Sequence, residues 1–166
     1  HQWRRQRPCP VLCGSNQLML NLIKTLIGYN NAIAGKIRSL KAFEEALAHQ
    51  SAGEFKQAFP LMLEAAELGH EKAMCLLGSM YLLGQGVPEN GREALRWLEK
   101  SRELGYEESI AVLGMAYATG KAGVKIDLAK GQQMLTYAAE RGDERSARML
   151  GMIERGEGMF RGLKKK

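Results

Sequence analysis

Residues 68–105 read LGHEKAMCLLGSMYLLGQGVPENGREALRWLEKSRELG, and the chain then says much of this again. Gly69 recurs as Gly105 and Gly142, Gly78 as Gly114 and Gly151, Leu77 as Leu113 and Leu150, Tyr81 as Tyr117, and Gly84 as Gly120. The step is 36 residues as far as Gly120. Beyond it Val87 maps to Val124, Leu98 to Leu135 and Gly105 to Gly142 at a step of 37, which places one inserted residue in the loop between Gly120 and Val124. A period of this length marks a stack of two-helix units, because so small a unit cannot bury its apolar face without a neighbour.

Within the unit, Ala73, Leu76, Leu77, Met80, Tyr81 and Leu83 fall at helical spacing, as do Ala94, Leu95, Trp97, Leu98 and Leu104. This predicts two amphipathic helices, A and B. The intervening GQGVPEN supplies glycines for positive φ and a proline for fixed φ, so the chain turns there and B begins near Asn90, an N-cap residue type. Gly105 is expected to end B in the left-handed conformation and let the next A helix start at once. Gly78, Gly114 and Gly151 fall in the middle of helix A, where each costs about 1 kcal/mol relative to alanine. A cost repeated in every unit implies a repeated contact, and close approach of the A and B backbones is the one expected.

The signature LGSMYLLGQGV with EALRWLEKSRELG, then LGMAYATGKAGV with KGQQMLTYAAERG, resembles the Sel1-like repeat, a relative of the tetratricopeptide repeat. The resemblance implies an all-α fold: a right-handed α/α superhelical solenoid of about three helix pairs plus a capping helix, with the A helices lining its concave face. It is best over residues 70–142. Upstream, residues 55–69 read as a B helix preceded by a less regular A helix. Downstream, ERSARMLGMIERGEGM reads as an A helix with Glu154 in place of the tyrosine and no partner B. The expected units are therefore 36–69, 70–105 and 106–142, with a terminal helix over 143–158, the solenoid as a whole covering 36–158.

With 45% apolar and 25% charged residues, the chain has the composition of a globular domain that can bury a core. Its net charge of +6 sits at the ends. Residues 1–17 hold Arg4, Arg5 and Arg7 without an acid, and the basic tail 159–166 holds Arg161, Lys164, Lys165 and Lys166; without these seven, 17 basic residues face 18 acidic ones. Nucleic-acid binding needs a basic face on the folded part, with aromatic interleaving, and neither is present in the pattern. Three cysteines without zinc spacing or a closed pairing suggest a reducing, cytoplasmic setting.

Residues 1–17 are expected to form a disordered basic leader. In 18–35, Met19, Leu22, Ile23, Leu26, Ile27, Ile33 and Ala34 form a helical stripe interrupted at Gly28 and Asn30, too short and too polar to span a membrane. We read it as an amphipathic helix covering the first repeat; the alternative is a secretion-signal segment over 19–34, which would make the protein periplasmic or secreted.

Projecting the A helices outward from B predicts a partner-binding row of Lys72, Cys75, Ser79 and Leu82, then Glu108, Ala111, Met115 and Ala118, then Arg145, Arg148, Met152 and Arg155, with Lys36, Ser39 and Phe43 in the first unit. Methionines adapt to varied surfaces and arginines clamp carboxylates, so an acidic or C-terminal peptide suits this groove. Each residue also has a purely structural reading, Arg148 pairing with Glu144 one turn earlier among them. Catalytic and cofactor motifs are absent: no nucleophile elbow, P-loop or dinucleotide fingerprint occurs, and His1, His49 and His70 share no useful spacing. His70 is expected at the surface. The function implied is a non-catalytic interaction adaptor, without metal or cofactor and monomeric. The resemblance also admits an immunity protein occluding a toxin, and the penicillin-binding or β-lactamase activity associated with cysteine-rich relatives.

Overall fold

The computed structural model describes residues 11–160. Seven helices follow in order: α1 (Val11–Ser51), α2 (Phe55–Glu67), α3 (Glu71–Leu83), α4 (Gly91–Glu103), α5 (Glu108–Thr119), α6 (Leu128–Glu140) and α7 (Glu144–Arg155). Short 3-10 turns span Lys121–Gly123 and Gly158–Phe160, and no strand occurs among the described residues. The described residues form two units, divided between Ile37 and Arg38.

In the first unit the helix starts at Val11, within the stretch expected to be a disordered leader; residues 1–10 lie outside the described residues. It runs without a break through Gly28 and Asn30, and the apolar side chains of the 18–35 stripe stand exposed.

The second unit is the helix-pair stack. Each B helix closes on a Schellman motif: the Gly105 amide bonds the Arg102 carbonyl and the Tyr106 amide bonds Ser101, as Gly69 and His70 do on Ala66 and Ala65, and Gly142 and Asp143 on Ala139 and Ala138. The three glycines have φ near +90°, a conformation L side chains resist, and the next A helix starts within two or three residues. Each A-to-B loop is pinned alike, the Asn90 amide on the Tyr81 carbonyl and the Asp127 amide on Tyr117, both at 3.0 Å. Asn90 Oδ1 and Asp127 Oδ1 then accept from the Glu93 and Lys130 amides as N-caps. The inserted loop residue falls in the turn Lys121–Gly123, where Ala122 takes a left-handed φ of +55°.

The core is layered by repeat. Ala42, Ala46, Ala58, Met62, Leu77, Met80 and Trp97 make the first layer, Ala94, Leu98, Leu113, Ala116 and Val124 the next. Ala118, Leu135, Ile153 and Phe160 make the last. Phe160, assigned from sequence to the basic tail, is thus fully buried and closes the final layer. His70 also departs from expectation. Its ring is buried, stacks on Phe43 at 4.2 Å, and Nδ1 accepts from the Ala73 amide to cap α3.

The mid-helix glycines show why they recur. A Cβ on Gly78 would lie 2.6 Å from Leu98 Cγ and 3.1 Å from the Ala94 carbonyl oxygen of α4. One on Gly114 would lie 3.0 Å from Leu135 Cγ, and Gly131 of α6 answers it, its own Cβ position being 3.0 Å from the Gly114 carbonyl oxygen. At Gly151 a Cβ would meet only the flexible Arg155 guanidinium of its own helix, because no B helix lies there among the described residues. Gly78→Ala should therefore destabilise, overpacking of about 1–3 kcal/mol outweighing a helix-propensity gain of about 1 kcal/mol, whereas Gly151→Ala should stabilise by up to about 1 kcal/mol. Urea-unfolding midpoints of the two variants against the parent chain measure this difference.

Burial, partly opposed by Glu71 and reinforced by Lys72, lowers the His70 pKa below 6.5. The unfolded chain then takes up its proton first as the pH falls through 6.5, so the His70 contribution to stability is present above 6.5 and lost below the folded-state value. His70→Asn keeps a capping oxygen and removes the titration, so melting curves across this range should fall less steeply with acidification in the variant.

Candidate partner-binding face

Four registers recur along α3, α5 and α7, and the fold treats them differently. Lys72, Glu108 and Arg145 occupy the first, all exposed; Ser79, Met115 and Met152 occupy the third, all half-buried. The second and fourth registers depart from the expectation of a partner surface. Cys75 and Leu82 of α3 are only 5% and 6% exposed, and Ala111 and Ala118 of α5 are 1% exposed. The A helix α3 has α5 alongside it, and α5 has α7. Cys75 and Leu82 pack in one cluster with Leu113 and Ala116 of α5, and Ala118 packs with Ile153 of α7 and with Phe160. In the expected first repeat, 36–69, Ser39 is buried and Phe43 is half-buried and stacked on His70, while Lys36 is exposed.

At α7 no further A helix follows among the described residues, so the same two registers are uncovered and carry Arg148 and Arg155, both exposed. The arginines therefore stand where earlier units hold cysteine, leucine and alanine. Arg145 pairs with Asp143 at 3.2 Å and Arg155 with Glu157 at 2.7 Å, rather than Arg148 with Glu144 as the helical spacing suggested. The Arg155 pair holds the Glu157 carboxyl below its usual range. At Asp143 burial opposes ionisation, but bonds from the Ser146 hydroxyl and amide and from Arg145 prevail and lower its pKa.

Beside these rows, where α5 begins and the α6–α7 turn passes, lies a cleft of about 410 Å³ bounded by Tyr106, Glu107, Glu108, Tyr137, Arg141 and Asp143. The Arg141 guanidinium lies 3.5 Å from the centre of the Tyr137 ring, its Nε is 3.5 Å from Glu107 Oε1, and the Tyr137 hydroxyl donates to Glu107 at 3.4 Å. Sequence projection missed this cleft because it takes Tyr137 from a B helix and Arg141 from that helix's C-cap. The available signal was the pair of caps Gly105 and Gly142, which bring Tyr106 and Asp143 to neighbouring turns.

No group of three or more His, Cys, Asp or Glu side chains among the described residues could hold a metal ion. The Cys75 thiol is pushed up to about 12, chiefly by burial and further by Glu108, with Arg145 opposing. Burial likewise raises the Tyr106 hydroxyl, with Glu108, Cys75 and Glu71 adding to it.

The stacked pairs, their glycine contacts and their in-register A helices define an α/α repeat solenoid. Residues 71–106 and 108–143 each match the family model of the Sel1 repeat, so these two units are Sel1 repeats. Sel1 repeats generally serve as protein–protein interaction modules, and proteins built from them are typically non-catalytic scaffolds. Among solved structures, a Sel1 repeat protein from Oxalobacter formigenes is similar at 27% identity and a TM-score of 0.58, covering 69% of this chain and 48% of that one. A protective antigen of uropathogenic Escherichia coli displaying an SLR fold is similar at 27% identity and a TM-score of 0.61, covering 75% of this chain and 27% of its own. Cysteine-rich protein B of Helicobacter pylori shares the fold at 23% identity and a TM-score of 0.53, over 76% of this chain and 93% of that one. An uncharacterized protein of Neisseria meningitidis serogroup B is 58% identical over 38 residues, 23% of this chain and 8% of that protein. The chain thus spans a small part of that relative and under half of the first two structures.

Thiol reagents offered to the folded chain at mildly alkaline pH should leave Cys75 unmodified, and denaturant should expose it to full labelling; peptide mapping reads the site directly.

Proposed function

We propose that this chain is a non-catalytic adaptor that holds an extended, acidic segment of a partner protein across the A helices. The observation that carries this reading is a register effect: stacking covers the second and fourth positions of α3 and α5 but leaves the first and third accessible in all three A helices. Two rows result, Lys72, Glu108 and Arg145 above Ser79, Met115 and Met152. An extended chain can follow rows that advance one unit at a time, as in other curved helical arrays.

The charge favours carboxylates. Lys72, Arg145, Arg148 and Arg155 outnumber Glu108, the one acid at these register positions, although the body of the chain is nearly neutral. The Arg145 and Arg155 side chains are solvent-exposed in the ion pairs they already make, which therefore contribute little and can be exchanged for a ligand carboxylate. The half-buried methionines offer a polarisable apolar edge without demanding one shape.

The test is affinity capture with this chain as bait, identification of the partner, and repetition with R145A/R148A/R155A. All three side chains are exposed on a helix whose core face lies elsewhere, so helicity and melting temperature should stay near the parent's. Binding should weaken by tenfold or more. Retention of the partner by the variant would place the contact elsewhere, and parallel loss of fold and binding would remove the reading.

A further inference from the structure

Residues 18–37 of α1 carry an apolar seam whose period differs from that of the repeats. Met19, Leu26 and Ile33 are seven residues apart, and Ile23, Asn30 and Ile37 are seven apart, four residues later in each case. Written as heptads, Ile23, Asn30 and Ile37 take the a positions and Met19, Leu26 and Ile33 the d positions. The five apolar members are between 42% and 63% exposed, and Leu20, Leu22, Ile27 and Tyr29 beside them are exposed as well. Lys24 and Lys36, the only charged residues of the segment, lie outside the a and d rows. Gly28 and Gly35 fall at f, the outer face of such a helix, where a Cβ on either would meet nothing within 4 Å.

A seam of this kind is larger than the scattered apolar residues of an ordinary monomer surface. It is also not a membrane span, since no helix among the described residues is long and apolar enough to cross a bilayer. What it should pair with is indicated by Asn30. Placed mid-seam among isoleucines and leucines, an amide must find a hydrogen-bonding partner once water is excluded, and the same amide of an identical helix in register supplies one. Leu26 is the only leucine at d, Met19 and Ile33 holding the other two places, so strand number and register rest on Asn30: a single asparagine at an a position specifies an in-register, two-stranded parallel pairing. We propose that residues 19–37 pair with the same residues of a second copy as a parallel two-stranded coil, Asn30 facing Asn30. The rows along α3, α5 and α7 would then be presented twice, and a partner with two acidic segments would bind with the gain of an intramolecular second contact.

Sedimentation equilibrium of the full chain tests this. The expected result is twice the chain mass, with Leu26→Lys and Ile33→Lys together raising the dissociation constant at least 100-fold while circular dichroism of the repeats is unchanged. Orientation is read separately: Asn30→Cys, in a background of Cys9→Ser, Cys13→Ser and Cys75→Ala, should cross-link to itself on mild oxidation. A monomeric parent chain, a dimer indifferent to the two lysines, or failure of the position-30 cross-link in a dimer each overturns the proposal. So does a monomer that co-sediments with phosphatidylcholine vesicles and loses them on introduction of the lysines, which would make the seam a lipid-facing surface.

Discussion

The fold depends on how close an A helix can come to its B helix. Leu98 lies where a Cβ on Gly78 would be, and Leu135 crowds Gly114 in the same way, with Gly131 removing a second side chain from that crossing. Each glycine gives up helix propensity of about 1 kcal/mol, and the close contact between backbones returns dispersion and burial that a wider crossing would lose. The A and B backbones meet in the same way in both units, and the Schellman turn at Gly105 or Gly142 then sets the start of the next A helix. Repetition of these two local devices is what stacks the units in register.

Register in turn decides which side chains can be used. An A helix inside the stack is hemmed in by its own B helix and by the A helix that follows, so two of its four outward registers go to the core and two stay accessible. Cys75 and Ala111 are buried where Arg148 is exposed, and Leu82 and Ala118 are buried where Arg155 is exposed. The substitution of arginine at both registers marks α7 as an end of the described stack. Phe160 then turns back to cover the last layer, taking up apolar surface that a further B helix would otherwise meet.

Much of this could be read before any coordinates. The period of 36 and 37 residues, the glycine caps, Asn90 as N-cap, the single inserted loop residue and the mid-helix close approach all follow from residues whose physical constraints are local, and each is present in the fold, the close approach at Gly78 and Gly114 but not at Gly151. The places where reading failed involve partners distant in sequence. His70 sits at a cap, which sequence can place, but its burial comes from Phe43, far upstream. Cys75 and Leu82 look outward-facing on an isolated helix and become core only when α5 lies against them.

By itself, then, the sequence determined the repeating unit, its turns and the helix-pair stack, because glycine conformation, capping and 3.6-residue periodicity act over a few residues at a time. Only the tertiary structure decided which registers of each A helix remain open, that Tyr137 of a B helix and Arg141 at its C-cap join Glu107 at a cleft, and that Phe160 belongs to the core. Those outcomes depend on which surfaces neighbouring helices cover, and coverage is a property of packing between units rather than of any one segment.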